Sequence, residues 1–459
     1  MDFETVIKGG TINTVESSFV ADIGITGGKV AAIGSDLGGI EVIDASGLQV
    51  IPGAIDVHTH FATEVGGHRT ADDYESGSRA AAVGGITSFI NFAFQQPGHS
   101  LQQAVDLEHQ MAAGRSYLDF GVHAVVTDPT AVNLDSELRQ LAERGVTSLK
   151  VFTAVEGFQL HRQQILEVLE AAARARMIVA VHAEDGPLVN HLTGKLLAEG
   201  KRSVAHLPDA RPPESEAAAT SLVSQYAGMV GCPVYFVHLS CRKALDAVRE
   251  ARRQGIRVYV ETRPAYLFLD RSRYELPNFE GNKFVCWPPL RGLDDQTALW
   301  EGLRNGEIQT YATDHTTWMA SEKIRPDLSF QDIPGGVANV QTSVGMLFNE
   351  GVRKGRISMR RFIEVTSANP ARLFGMWPQK GTIAVGSDAD ITMIDPQHEI
   401  QIVASEMESR SDFDPYEAWR GTGWPVFTMS RGGVVVRNGK VVAKPGLGRP
   451  LQRLRYEAL

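Results

Sequence analysis

The chain has 459 residues, 43% of them hydrophobic, and a formal net charge of −9. That length exceeds one ordinary domain and suits a barrel of roughly 250–350 residues plus a smaller unit. No apolar run approaches the ~18–20 residues needed to span a bilayer, and no basic run reads as a nucleic-acid footprint. The three cysteines, without CxxC spacing, exclude a disulfide framework and suit a reducing cytoplasm.

The N-terminus, MDFETVIKGG, passes straight into strand-like sequence and is not read as a signal peptide. Residues 1–50 are short strands broken by glycine turns. The C-terminal stretch resumes that texture in ADITMID and PVFTMSRGGVVVRNGKVV, with hairpin turns expected at Gly432-Gly433 and Asn438-Gly439. One small β-sandwich domain built from both ends, 1–50 and 380–459, is expected around a middle of 51–379. Arg449, Arg453 and Arg455 near the end read as surface solubilisers.

The middle alternates apolar runs with helical segments. Its runs are VHTHF from Val57, ITSFINF from Ile86, FGVHAVV from Phe120 and TSLKVFT from Thr147. IVAVHAE from Ile178, PVYFVHLS from Pro233, IRVYVETR from Ile256 and IQTYATDHT from Ile308 make eight. Eight βα units close into a parallel (β/α)8 TIM barrel, so the fold class is α/β. The stretches 186–216 and 317–345, rich in Pro and Gly, are expected to be loops over the active face.

Polar residues stand near the C-terminal ends of these runs, where barrel enzymes build their sites: His58, His60, Lys150, His182, His238 and Asp314. In HxH the two imidazoles of one strand face the same way and make a metal pincer. Lys150 lies between Leu149 and Val151, which point outward, so its amine points into the barrel, where burial favours the neutral form. A neutral amine adds carbon dioxide, and the carbamate has the shape to bridge two ions. His182 and His238 each end an apolar strand and complete a binuclear set, with imidazole favouring zinc and oxygen ligands admitting manganese or iron. Asp314 can bind a metal and also take a proton. Two divalent ions bring four positive charges. The carbamate, Asp314 and a bridging hydroxide remove three, leaving one to stabilise an oxyanion.

These residues sit in PGAIDVHTHF, SLKVF, VHAEDG, RPPESEA, VHLS, CWPPLR, ATDH, SANPARLFG and KGTIAVGSDADI. With those motifs the chain resembles the binuclear metal-dependent amidohydrolases, on the hydantoinase and dihydropyrimidinase branch. The resemblance implies two divalent ions held by His58, His60, carbamylated Lys150, His182, His238 and Asp314. It implies hydrolytic opening of a cyclic amide, imide or ureide by a metal-bridging hydroxide, with Asp314 shuttling the proton to the leaving nitrogen. It also implies a homo-oligomer, a dimer or tetramer. Four positions depart from the family pattern. Val155 stands where D-selective relatives carry an oxyanion tyrosine, and Glu156 follows it in place of a base. Trp287 replaces a serine, and Gly335 an asparagine, at positions that hold the ring's amide edge through backbone groups. L-selective hydantoinases also lack the tyrosine, so weak activity on dihydropyrimidines and D-hydantoins, and better activity on imides or L-hydantoins, is expected. Phe61, Phe94, Phe152, Phe158 and Trp287 are placed near the pocket mouth. Ala62, where dihydroorotases carry arginine and allantoinases asparagine, makes those branches the poorer fit. An allantoinase-like enzyme and a non-catalytic scaffold that keeps the fold are the alternatives.

Overall fold

The computed structural model describes residues 2–65 and 67–456. Eight parallel strands follow one another in sequence order around a barrel: Ala54–Asp56, Ile86–Phe94, Asp119–Val125, Ser148–Phe152, Ile178–His182, Val234–Phe236, Val258–Thr262 and Thr310–Tyr311. All eight expected runs contain or adjoin one of these strands. A parallel bridge between Thr59 and His315 closes the seam between the eighth strand and the first. The strands are buried on both faces, which explains why they read as continuous apolar runs rather than alternating ones. Outward residues such as Leu149 and Val151 pack in the layer under the surrounding helices, while Ile55, Ile90, Ala180 and Tyr235 fill the barrel's interior.

The first strand is shorter than the VHTHF run suggested. It ends at Asp56, and His58 and His60 flank the bridging residue Thr59 just beyond it. The cause is visible in Asp56. Its Oδ1 accepts from the backbone N–H groups of His58 and Thr313, both at 3.1 Å, and its Oδ2 accepts from Thr313 Oγ1 at 2.5 Å. A side chain thus takes over donors that a ladder would otherwise use.

The stretch after strand five is not simply a loop. Residues Gly186–Ala198 form a helix, capped where the Asp185 side chain accepts from Leu188 N at 2.9 Å, with a proline in its first turn. The stretch after strand eight is mostly irregular, with a short helix at Ala320–Lys323 and another, Ser343–Leu347, beginning at its end.

A separate nine-stranded sheet draws Phe3–Asn13, Ser18–Thr26, Lys29–Gly34, Gly39–Asp44 and Gln49–Pro52 from the start of the chain. It draws Ile391–Gln401, Arg420–Ser430, Gly433–Arg437 and Lys440–Val441 from its end. The two halves meet where Gln49–Pro52 runs antiparallel to Ile391–Gln401, with Val50 opposite Met393. The Asn438-Gly439 turn is as expected, both residues having positive φ (52° and 72°) between paired Arg437 and Lys440. The other turn is centred one residue earlier than expected, on Arg431 and Gly432 (φ 46° and 74°), because Ser430 pairs with Gly433.

Sheet and barrel are joined by buried charge. Lys380 Nζ lies 2.9 Å from Asp119 at the start of barrel strand three and 2.6 Å from Asp390 beside the sheet. The end of the chain leaves the sheet altogether. Phe120 N donates to Arg449 O at 3.0 Å and Leu451 N to Phe120 O at 2.7 Å, so this segment lies against the N-terminal end of barrel strand three. Arg453 is therefore not a surface residue. It is 3% exposed and donates to Ser148 Oγ at 2.8 Å and Val122 O at 2.5 Å.

Candidate active site

At the C-terminal mouth of the barrel, the backbone turns abruptly after strands six and eight. His238 and Asp314 both take positive φ, 42° and 50°, a conformation that costs a non-glycine residue energy and recurs at functional sites. These turns aim both side chains inward. His58 Nε2 and His60 Nε2 lie 3.1 and 3.2 Å from the same Asp314 oxygen, Oδ1. His182 Nδ1 faces His238 Nε2 at 3.1 Å. Lys150 Nζ sits over the rings of Phe92 and Phe152, 5.2 and 4.9 Å from their centroids, with no ion pair among the described residues. The structure thus brings His58, His60, Lys150, His182, His238 and Asp314 to the lining of one cavity of about 350 Å3.

The tautomers decide what the cluster can hold. His58 Nδ1 is 2.7 Å from Glu261 Oε1, and His182 Nε2 is 2.8 Å from Glu184 Oε2. A carboxylate accepts only, so each ring gives its N–H to the acid. In the neutral rings that leaves lone pairs on His58 Nε2, facing Asp314, and on His182 Nδ1, facing His238. With that tautomer His58 Nε2 and Asp314 Oδ1 are two acceptors 3.1 Å apart, and His60 and His238 each leave a buried Nδ1 with no protein partner among the described residues. Tetrahedral metal–nitrogen bonds of ~2.0–2.1 Å put neighbouring ligand atoms about 3.3 Å apart. The residues present fit divalent ions, and His58, His60 and Asp314 form a cluster whose ligand atoms all lie within 4.8 Å of one another.

Electrostatics agree. Burial opposes ionisation of Asp314, but the Arg263 guanidinium and then His58 and His60 outweigh it and hold the carboxyl well below the usual range. Burial pushes His60 down to about 4 and Lys150 down to about 7, the latter against the pull of Glu261 and Asp314. Burial also drives His238 well below the ordinary imidazole value, helped by His182 and Lys150. His60, Lys150, His182 and His238 are thus held toward their neutral, ligand-ready forms; His58 is the exception, for against burial Glu261 and Asp314 raise its pKa, and a cation bound there would displace that proton.

Several residues that organise the site were missed from sequence. Glu261, wholly buried at the end of strand seven, also accepts from His238 N and Tyr235 OH, each at 2.9 Å. Glu184 pairs with Arg211, whose guanidinium stacks 4.8 Å from the Trp287 ring. Arg263, just past strand seven, donates to Asp314 Oδ2. His315, next to Asp314, gives its Nε2–H to Asp72 at 2.9 Å and accepts at Nδ1 from Asn339 N and Val340 N at 3.0 and 3.1 Å. Glu261 carried a usable signal, a charge inside an apolar run, the same that exposed Lys150.

Around the cluster the cavity is lined by Phe94, Phe152, Val155, Phe158, Trp287, Trp318 and the backbone turn Pro334–Gly336, with Gly335 against the Trp287 ring. Phe61, placed at the mouth on sequence, is instead wholly buried in the core against Phe89. Its peptide faces outward from the site, where Asn91 binds it.

A parallel eight-stranded barrel with a histidine–carboxylate centre for divalent metal at its C-terminal mouth defines a metal-dependent barrel hydrolase. The pattern of the amidohydrolase family matches residues 49–442. A D-hydantoinase of Geobacillus stearothermophilus is 41% identical over 458 residues, 99% of this chain and 97% of that protein. The crystal structure of dihydropyrimidinase from Brevibacillus agri superposes with a TM-score of 0.97 at 39% identity, covering 99% of this chain and all of that one. An L-hydantoinase (dihydropyrimidinase) from Arthrobacter aurescens superposes at 0.90 with 29% identity, covering 97% and 99%. The chain belongs to the amidohydrolase family, on its hydantoinase and dihydropyrimidinase branch.

Proposed function

We propose that the protein is a cyclic amidohydrolase that opens a five- or six-membered amide, imide or ureide ring to its open-chain acid. The convergence of four imidazoles, the Lys150 amine and the Asp314 carboxylate on one ligand-sized cavity carries this reading. His58, His60 and Asp314 would hold one ion and His182 and His238 the other, with Lys150, as its carbamate, between them. Zinc suits the imidazoles, and manganese is the main alternative. When bound, the ions polarise the scissile carbonyl and lower the pKa of water toward about 7.

The chain's own groups supply the rest. Asp314, kept ionised by Arg263, is a base held where the attacking water must lose its proton, and it can deliver that proton to the leaving nitrogen. Glu261 and Glu184 fix which imidazole nitrogens face the centre. The ring would lie against Phe152 and Val155, its amide edge on the backbone at Trp287 and Gly335. The apolar walls exclude water and favour uncharged rings.

We assign catalysis to residues 51–379 and the small unit to 1–50 and 380–459. Assembly as a homodimer or homotetramer and residence in the cytoplasm accompany the proposal; three buried free cysteines support a reducing compartment. No helix of the described residues is long and apolar enough to cross a membrane. The test is kcat/KM of metal-loaded protein on hydantoins of both hands, dihydropyrimidines, cyclic imides and allantoin. Val155 offers the carbonyl no donor, so imides and L-hydantoins should be preferred over dihydrouracil and D-hydantoins. The reverse order would show that Val155 does not set the choice, and no ring-opening at all would overturn the function.

A further inference from the structure

Behind one wall of the site lies a second cavity, of about 320 Å3 against about 350 Å3 for the first. Val155, Phe158, Trp287 and Gln331 line both, so the two spaces are one side chain apart. Each volume is at the lower end of ligand-sized cavities, roughly 300–1,000 Å3, and a bare five-membered ring fills only part of the first.

The far wall of the second cavity comes from elements the ring-opening chemistry does not use. Val189, Asn190 and Thr193 project from the helix Gly186–Ala198, Leu207 from the short helix Leu207–Ala210, and Phe330 from the stretch after strand eight. Leu207 and Phe330 are almost wholly buried. The one cation in the lining, Arg211, has its charge taken by Glu184 and lays its guanidinium plane on Trp287. The chamber therefore offers flat apolar walls, with the amides of Asn190 and Gln331, the Thr193 hydroxyl and the exposed Glu156 carboxylate among the rest of its lining, which suits an uncharged aromatic group better than an anionic one.

Val155 stands in the dividing wall and lines both cavities. Its side chain is short, and its backbone is held at φ 85°, a conformation costly for a β-branched residue. The turn that imposes this is fixed by Phe158 N and Gln159 N, which donate to the Val155 carbonyl at 3.1 and 3.0 Å. Strain retained beside an active pocket is an observation that points to use.

We propose that the second cavity is a substituent subsite: with the scissile ring over the histidine cluster, an aromatic group on a short flexible linker passes Val155 and lies between Phe158, Trp287 and Leu207. This rests on the ring-opening reading and specifies the class of ring it serves. Substrates then divide by the reach of their side arm. A methyl group stays in the first cavity, and an arylalkyl group fills both.

The test compares kcat/KM for 5-methylhydantoin and 5-(2-phenylethyl)hydantoin on metal-loaded full-length protein, Thr193→Phe and Leu207→Trp. Both variants fill the second cavity, from different helices. Thr193 is half-buried on a helix surface and tolerates a larger residue should Leu207→Trp fail to fold. Wild type should prefer the phenylethyl ring by at least about tenfold, as expected for added apolar contact in a pocket. In either folded variant that preference should fall by about tenfold or more. A preference unchanged within about twofold in folded Thr193→Phe, with ring-opening intact, overturns the subsite alone. A bound phenyl lying instead at the outer mouth beside His68 does the same. Turnover of neither hydantoin by metal-loaded wild type overturns the ring-opening reading, and the subsite with it.

Discussion

Replacing Glu261 by glutamine isolates the part of the site that no ligand contact reveals. The carboxylate is wholly buried and receives three donors: His58 Nδ1–H at 2.7 Å, His238 N at 2.9 Å and Tyr235 OH at 2.9 Å. The first two go to Oε1, which glutamine keeps. The third goes to Oε2, where glutamine brings an NH2, and Tyr235 can turn its hydroxyl hydrogen to Thr310 Oγ1, 2.5 Å away, and accept from the amide. The fold should survive, and what disappears is the charge that makes His58 Nε2 basic. Loss of such a partner typically weakens metal binding by about 10–100-fold, or about 1.4–2.8 kcal/mol. Titrating metal into stripped protein against a chromophoric chelator measures it directly, with a thermal melt alongside. Glu261→Ala is the contrast. It leaves three buried donors without their acceptor, each costing about 1–3 kcal/mol, so it should lower Tm as well as affinity. Metal affinity of Glu261→Gln within about twofold of wild type would refute the argument that this carboxylate sets the ligand's basicity.

Lys150→Ala should retain at most one ion per chain and lose most turnover; elemental analysis finding two ions and full activity would remove the bridge. Asp314→Asn should keep the fold but lower kcat by about a hundredfold or more, the lower range for a lost acid–base group, and unchanged single-turnover rates would take it out of the mechanism. Asp414 does not line the cavity of the metal cluster, and burial pushes its pKa up to about 7, above the ~3.9 of an unfolded chain. Its neutral form therefore contributes stability that is full below pH about 4 and lost as pH rises through about 7. Asp414→Asn, which can still accept from Tyr416 N, should gain stability in urea melts at pH 8 and little at pH 4. An equal gain at both pH values would refute the assignment.

The barrel was legible because its parallel strands are buried on both faces and so appear as eight compact apolar runs. The charged residues that break those runs are conspicuous for the same reason, as Lys150 is in SLKVF. What escaped was whatever depends on a partner from another strand. Glu261 meets His58 across the barrel, and Arg263 meets Asp314 across the gap from strand seven to strand eight. Nothing local in IRVYVETR announces either pairing. The helix Gly186–Ala198 was hidden by weak patterning, since few of its positions are buried. Arg453 illustrates the opposite error, for a basic residue near a chain end reads as solvated until Ser148 and Val122 are found beneath it.

The pairing of Gln49–Pro52 with Ile391–Gln401 sets an order of events during synthesis. The first five strands of the terminal sheet leave the ribosome early, and they can pair among themselves at once. Val50 must then wait for Met393, and at roughly 5–20 residues per second the wait is on the order of tens of seconds. Through that interval the strand presents an unpaired edge with apolar Val50 and Ile51 on it, the kind of edge that invites another nascent chain. The late strands thus do more than complete a sheet. They end the period in which the young polypeptide is most open to aggregation, and slower translation of the barrel would lengthen it.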